Sequence, residues 1–131
     1  MSPLFLVDGF NFLHAVVLKG RDRARWWRPE NRARVVEVVA GLVGGGAEAW
    51  VVFDERGRSE PTATDPGAEL RLPVHYAPNA DDYIVALCAE LTCGREVVVV
   101  SADRSLIDRA RHRGARGLSP WAFAAGSSST G

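Results

Sequence analysis

The stretch Leu4-Phe5-Leu6-Val7-Asp8-Gly9-Phe10-Asn11 decides the fold. Four apolar residues in succession, among them an aromatic and a β-branched side chain, fit a strand buried on both faces, as in parallel sheets covered by helices. The run stops on an aspartate, followed by a glycine that can turn the chain tightly. In open parallel α/β sheets, ligands bind in the crevice beyond the carboxyl ends of the strands. Asp8 is therefore a candidate site residue. An Asp at this place is also a good helix N-cap, so this one acid is weak evidence by itself.

The same grammar returns twice. Trp50-Val51-Val52-Phe53 ends on Asp54, and Val97-Val98-Val99-Val100 runs through Ser101-Ala102 to Asp103. A further acidic point, Asp81-Asp82, opens a helical pattern just after the extended run Pro73-Val74-His75-Tyr76. Three buried strands delivering acids, and an acidic helix start, are poorly explained by capping alone.

Between these strands lie helical stripes. Phe12 to Leu18 predicts a short helix, and Pro29 suits the first turn of another. Val35, Val36, Val38, Val39, Leu42 and Val43 give that second helix a wide apolar stripe, stopped by Gly44-Gly45-Gly46. Its β-branched residues leave a strand as an alternative. The triple glycine lacks a following Lys-Ser/Thr and is not a phosphate loop. Ile84, Val85, Leu87, Cys88 and Leu91 mark a third helix, and Leu106, Ile107 and Ala110 a fourth that Gly114 ends. Ala115 to Leu118 reads as a short edge strand, and Pro120 to Phe123 as a last helical turn. The expected architecture is a three-layer α/β domain whose mostly parallel sheet of four or five strands is flanked by helices. Residues 55–72 read as a long polar loop, either a lid or an insertion.

At 131 residues, with 47% hydrophobic and 24% charged side chains, the chain suits one globular domain with a real core. We expect the domain over 1–125 and a disordered Gly/Ser tail over 126–131. No apolar run reaches the ~20 residues of a membrane span, and the start lacks the flank of a signal peptide. Cys88 and Cys93 make neither a C-x-x-C motif nor a disulfide framework, which points to a cytoplasmic protein with reduced thiols. His14 stands without a metal-spaced partner and reads as a surface or half-buried residue.

Net charge is zero but unevenly spread. Residues 1–45 carry seven basic and four acidic side chains, residues 46–103 four and eleven, and residues 104–131 five and one. Fifteen of the sixteen basic residues are Arg, the better residue for phosphate and for stacking on bases, although a biased base composition would produce the same excess. The most basic segment, Lys19 to Arg34, holds Trp26 and Trp27 in its middle. Arg beside exposed aromatics is how proteins hold single strands, so Arg21, Arg23, Arg25, Trp26, Trp27 and Arg28 are candidate nucleic-acid contacts, as is Arg104. The competing reading is a solvated loop whose tryptophans pack onto the domain.

Asp8-Gly-Phe-Asn11, Val-Phe-Asp54, Asn79-Ala-Asp81-Asp-Tyr-Ile and Ser101-Ala-Asp103-Arg together resemble the ordered motifs of NYN domains. These belong to the PIN-like (Rossmann-like) metal-dependent ribonucleases, and the likeness is greatest to the bacterial YacP-type branch. It covers roughly residues 3 to 124. It implies a divalent-metal-dependent endoribonuclease acting on single-stranded or structured RNA, with ribosome association as a further implication. In this family the acid after Ala in the third motif is a ligand, which maps to Asp81. The Asn11 position binds near the metal or orients substrate, whereas the residue itself also suits a helix-start hydrogen bond.

The chemistry of the acids points the same way. Carboxylates crowded into one crevice cannot all stay ionised without a cation. An all-oxygen site suits Mg²⁺ or Mn²⁺, which stabilise charge on a phosphoryl group. Asp8, Asp81 and Asp103 are the expected ligands, Asp54 completes the ring, and Asn11, Asp82 and Ser101 assist. Two departures from the family pattern, Ser105 and Asn79 where acids are usual, weaken the case for a second metal. The alternatives are a catalytically silent RNA- or ribosome-binding module of the same fold, and a phosphatase-like α/β enzyme. Oligomeric state is not legible in the sequence.

Overall fold

The computed structural model describes residues 3–18, 29–43, 47–54 and 72–126. The apolar runs become strands: β1 (Leu4–Asp8), β2 (Glu48–Asp54), β3 (Val74–Ala77), β4 (Val97–Val100) and β5 (Arg116–Leu118). All pair in parallel, in the order β3-β2-β1-β4-β5. β1 is the centre, with Val7 opposite Val51 on one flank and Val100 on the other. The chain lays strands outward from β1 to β3, then returns to place β4 on the far flank of β1. Strand order therefore reverses between β1 and β4, and the crevice at their carboxyl ends is the topological switch point. Asp8 ends one of these strands and Ser101 follows the other.

Helices cover both faces: α1 (Gly9–Phe12), α2 (Pro29–Val43), α3 (Ala80–Leu91), α4 (Arg104–His112) and α5 (Pro120–Gly126). The side-chain period of two sorts the strands between two cores. Leu4, Leu6, Val97 and Val99 meet Ile84, Val85 and Cys88 of α3 and Leu106 and Ala110 of α4. Val7, Val51, Phe53 and Val100 meet Val35, Val36 and Val39 of α2, with Phe12, Leu13 and Phe123. Leu106 is fully buried and anchors the helix that Asp103 begins; truncating it to Ala would cost about 2–5 kcal/mol.

Three local expectations need adjustment. The helix expected over Phe12–Leu18 begins earlier, at Gly9, and passes into a π turn over Leu13–Val17. There the Leu18 amide donates to the Leu13 carbonyl at 2.8 Å, five residues back; apolar spacing does not separate that turn from an ordinary one. Val38 lies outside the stripe of α2, on the exposed side. Arg32, within the stretch read as a basic surface, is buried, its guanidinium 6.0 Å from the Tyr76 ring centre. Gly9 is required by packing, because a Cβ there would run into the Phe53 ring. Among the described residues no helix is long and apolar enough to cross a membrane.

Candidate active site

Asp8 occupies the N-cap position of α1, yet its side chain makes no capping hydrogen bond. Instead its Oδ2 accepts from Ser101 Oγ at 3.2 Å, across the switch point. Burial is the main force pushing the Asp8 carboxyl up to about 7, and the charges of Asp81 and, less strongly, Asp103 add to it. The Ser101 hydroxyl and the Asn11 amide pull the other way and do not cancel the rise. A weak capping contact with the Asn11 backbone amide is thus outweighed by burial beside other acids.

Ser101, one of two buried polar residues among those described, joins the pieces. Its Oγ donates to Asp8 and accepts from the Asp103 amide at 3.0 Å. Asn11 makes the second cross-link, its Oδ1 accepting from the Ala102 amide at 2.7 Å. These two bonds tie the end of β1 to the loop after β4.

Asp103 has two duties. Its Oδ1 accepts from the amides of Ser105 at 3.0 Å and Leu106 at 3.4 Å, so it caps α4 as its sequence position suggested. It is also the strongest charged neighbour of Asp81. The Asp81 carboxyl lies above the ordinary range, first through burial, then through the charge of Asp103 and a hydrogen bond with it; Asp54 adds a smaller push. Arg109 offsets part of this rise.

Asp82 lies apart from this group. It is exposed, and its Oδ1 accepts from Arg109 Nη2 at 2.8 Å. Asn79, where the family pattern has an acid, caps α3 by accepting from the Asp82 amide at 3.0 Å. Arg104 opens α4 and, with Ser101 and Ala102, lines a hollow beside the acids. Arg21, Arg23, Arg25, Trp26, Trp27 and Arg28 lie outside the described residues.

The structure therefore brings Asp8, Asp81 and Asp103 within electrostatic reach of one another, with Asp54 acting on Asp81 alone and Ser101 and Asn11 as the stitching. Among the described residues, no three or more His, Cys, Asp or Glu side chains are gathered tightly enough to hold a cation as they stand. The donor chemistry nonetheless fits a hard divalent ion: the neighbouring groups are carboxylate oxygens, and Asp8 and Asp81, raised first by burial, are raised further by adjacent carboxylates. Sequence reading missed the Arg109 partner of Asp82, since nothing local links residues 27 apart. It also passed over Trp121, taken only as part of a helical turn; a large aromatic on so small a helix was the available signal.

Fold and site together define a doubly wound α/β domain with an acidic crevice at its switch point. The profile of the YacP-like NYN domain matches residues 5–129, and the chain belongs to that family, a family of nuclease domains. The crystal structure of Rae1 (YacP) from Bacillus subtilis in its W164L form is 21% identical, with a TM-score of 0.72 over 98% of this chain and 76% of that one. The Rae1 (YacP) structure without that substitution is 20% identical, with a TM-score of 0.71 over 95% and 73%. At these identities the likeness is one of fold. No curated protein sequence matches the chain.

Proposed function

We propose that this protein is a divalent-metal-dependent ribonuclease that hydrolyses phosphodiester bonds in RNA at the crevice beyond β1 and β4. One observation carries the reading: Asp8, pushed up to about 7 by burial and by the charges of Asp81 and Asp103, sits at the switch point and is bonded across it to Ser101. A fold gains nothing by burying an acid among acids, so the arrangement points to a missing positive charge. Asp8, Asp81 and Asp103 would hold a Mg²⁺ or Mn²⁺ ion, which when bound neutralises their charge and stabilises charge developing on a phosphoryl group. Ser101 holds Asp8 in place, and Asn11 holds the backbone after Ser101. Asp103 is fixed by its own capping bonds and presents its charge to Asp81. Reduced thiols, with Cys88 buried and Cys93 exposed, support a cytoplasmic setting for this activity.

The loose gathering of the acids favours a second reading, in which the fold binds RNA, on the ribosome or free, without cutting it. One assay separates the two. Labelled RNA is incubated with the protein in Mg²⁺, Mn²⁺ or chelator, and with Asp8→Asn in parallel. Cleavage that needs the metal and is lost in Asp8→Asn supports the nuclease; binding without cleavage in either metal supports the silent module.

A further inference from the structure

Trp121, on α5, is 56% exposed. One exposed aromatic is ordinary on a protein surface; its surroundings are not. It forms the ridge between two hollows, and Ala102, which follows Ser101 in the crevice, lines both. The first hollow, about 850 Å³, is walled mostly by small apolar side chains, with Asn11 and His14 supplying polar atoms. The second, about 600 Å³, has Ser101, Arg104, Arg111 and Ser119 as its polar lining together with one carboxylate, Asp108. Each hollow thus begins at a residue that stitches the acidic site together.

The ring of Trp121 is held in place. Its indole Nε1 donates to the Ala15 carbonyl at 3.2 Å, in the π turn after α1. A fixed ring is a better stacking surface than a mobile one, because little freedom remains to be lost on binding. The two arginines are uncommitted: among the described residues neither Arg104 nor Arg111 has an ion-pair partner, whereas Arg109 on the same helix is held by Asp82. Arg104 stands in the first turn of α4, where the helix dipole disfavours a cation. Helix stability does not explain it there.

We propose that these features form a track for single-stranded RNA leading out of the acidic crevice, with one unpaired base stacked on Trp121 and the adjoining phosphates on Arg104 and Arg111. The inference rests on the ribonuclease reading and names the form of its substrate. A duplex keeps its bases stacked on one another and cannot offer a free face to an indole, so the track selects single strands. The basic excess of residues 104–131 thereby acquires a task.

The test uses the full chain in chelator, so that nothing is cut. Fluorescence anisotropy follows a short labelled RNA, single-stranded or as a duplex, across a range of salt. Trp121→Ala is expected to weaken single-strand binding by about 5- to 100-fold and Trp121→Phe by far less, as for removal of one stacked base. The pair Arg104→Gln and Arg111→Gln should lower the salt slope by about 0.7 for each phosphate no longer neutralised. An abasic RNA at the stacked position should bind the native chain as poorly as intact RNA binds Trp121→Ala, with no further weakening when the two are combined. Thermal melts confirm that each variant is folded, and Trp121→Phe distinguishes removal of the ring from removal of the Ala15 bond. Equal binding of single strand by native chain and Trp121→Ala overturns the track while leaving the nuclease reading intact if RNA is still cut in Mn²⁺. Equal weakening for duplex and single strand overturns it as well. If the native chain binds no RNA at low salt, both readings fall.

Discussion

Asp8→Asn in metal-free buffer is the sharpest test of the idea that the acids are crowded for function. The folded chain holds the Asp8 proton more tightly than the unfolded chain does, because its carboxyl rises from 3.8 to about 7. The sign follows. Asp8 costs nothing well below pH 4, where folded and unfolded chains both hold its proton; the penalty grows as the pH climbs and levels off above about pH 7. At about 1.4 kcal/mol per pH unit, that interval sets a ceiling of about 4 kcal/mol. Asp8 is only partly buried, and water penetration reduces the figure to about 2 kcal/mol. Asn removes the charge, keeps the shape, and retains an oxygen for the 3.2 Å bond from Ser101 Oγ. At roughly 3–5 °C per kcal/mol for a domain of this size, Asp8→Asn should melt about 6–10 °C higher than the native protein at pH 8. The gap should close near pH 4. Thermal melts by circular dichroism in chelator, across pH 4 to 8.5, supply the comparison; groups remote from Asp8 cancel between the two proteins, and relief of its neighbours Asp81 and Asp103 adds in the same direction. A variant less stable than native at pH 8, by an amount independent of pH, would refute the reasoning and return Asp8 to an ordinary structural role.

Four further outcomes are expected. Stabilisation of the native chain by Mn²⁺ should grow from pH 6 to pH 8, since proton and cation compete for the same carboxylates, and should vanish in Asp8→Asn; melts at fixed metal concentration read this directly. Asp103→Ala should cost about 0.5–2 kcal/mol in urea unfolding through loss of the α4 cap, whereas Asp103→Asn costs less, and both should abolish metal-dependent cleavage. Asp82→Asn breaks only an exposed pair with Arg109 and should change stability by less than about 1 kcal/mol, with cleavage near the native rate. Gly9→Ala drives a methyl into Phe53 and should destabilise by about 1–3 kcal/mol, measured by the same unfolding curves.

The strands were readable because a parallel sheet covered on both faces needs unbroken apolar runs, and Leu4–Val7 and Val97–Val100 have them. Their order around β1 agrees with the expected convergence of Asp8 and Asp103 on one edge. Asp103 illustrates a limit of another kind: an acid at a helix start serves as a cap, and the same position aims its charge at Asp81, so one residue satisfies both readings. Arg32 was misread because a charge in a basic run looks solvated; only tertiary packing shows it beneath Tyr76. The π turn was hidden for a different reason, since a change of one residue in hydrogen-bond span leaves the apolar pattern almost intact. Trp121 gained meaning only from neighbours contributed by α1, the loop after β4, and α4.

The two bonds that cross the switch point, Ser101 Oγ to Asp8 and the Ala102 amide to Asn11, join halves of the chain that sheet pairing alone leaves free to splay at their ends. The placing of Asp8 relative to the loop that carries Asp103 thus depends on two short side chains, neither of them an acid. Exchanging Ser101 for Ala, or Asn11 for Ala, would remove one of these ties while leaving every carboxylate in the chain. In a lineage of such proteins, these two positions are where the join between the halves can loosen in single steps, without the loss of any acid.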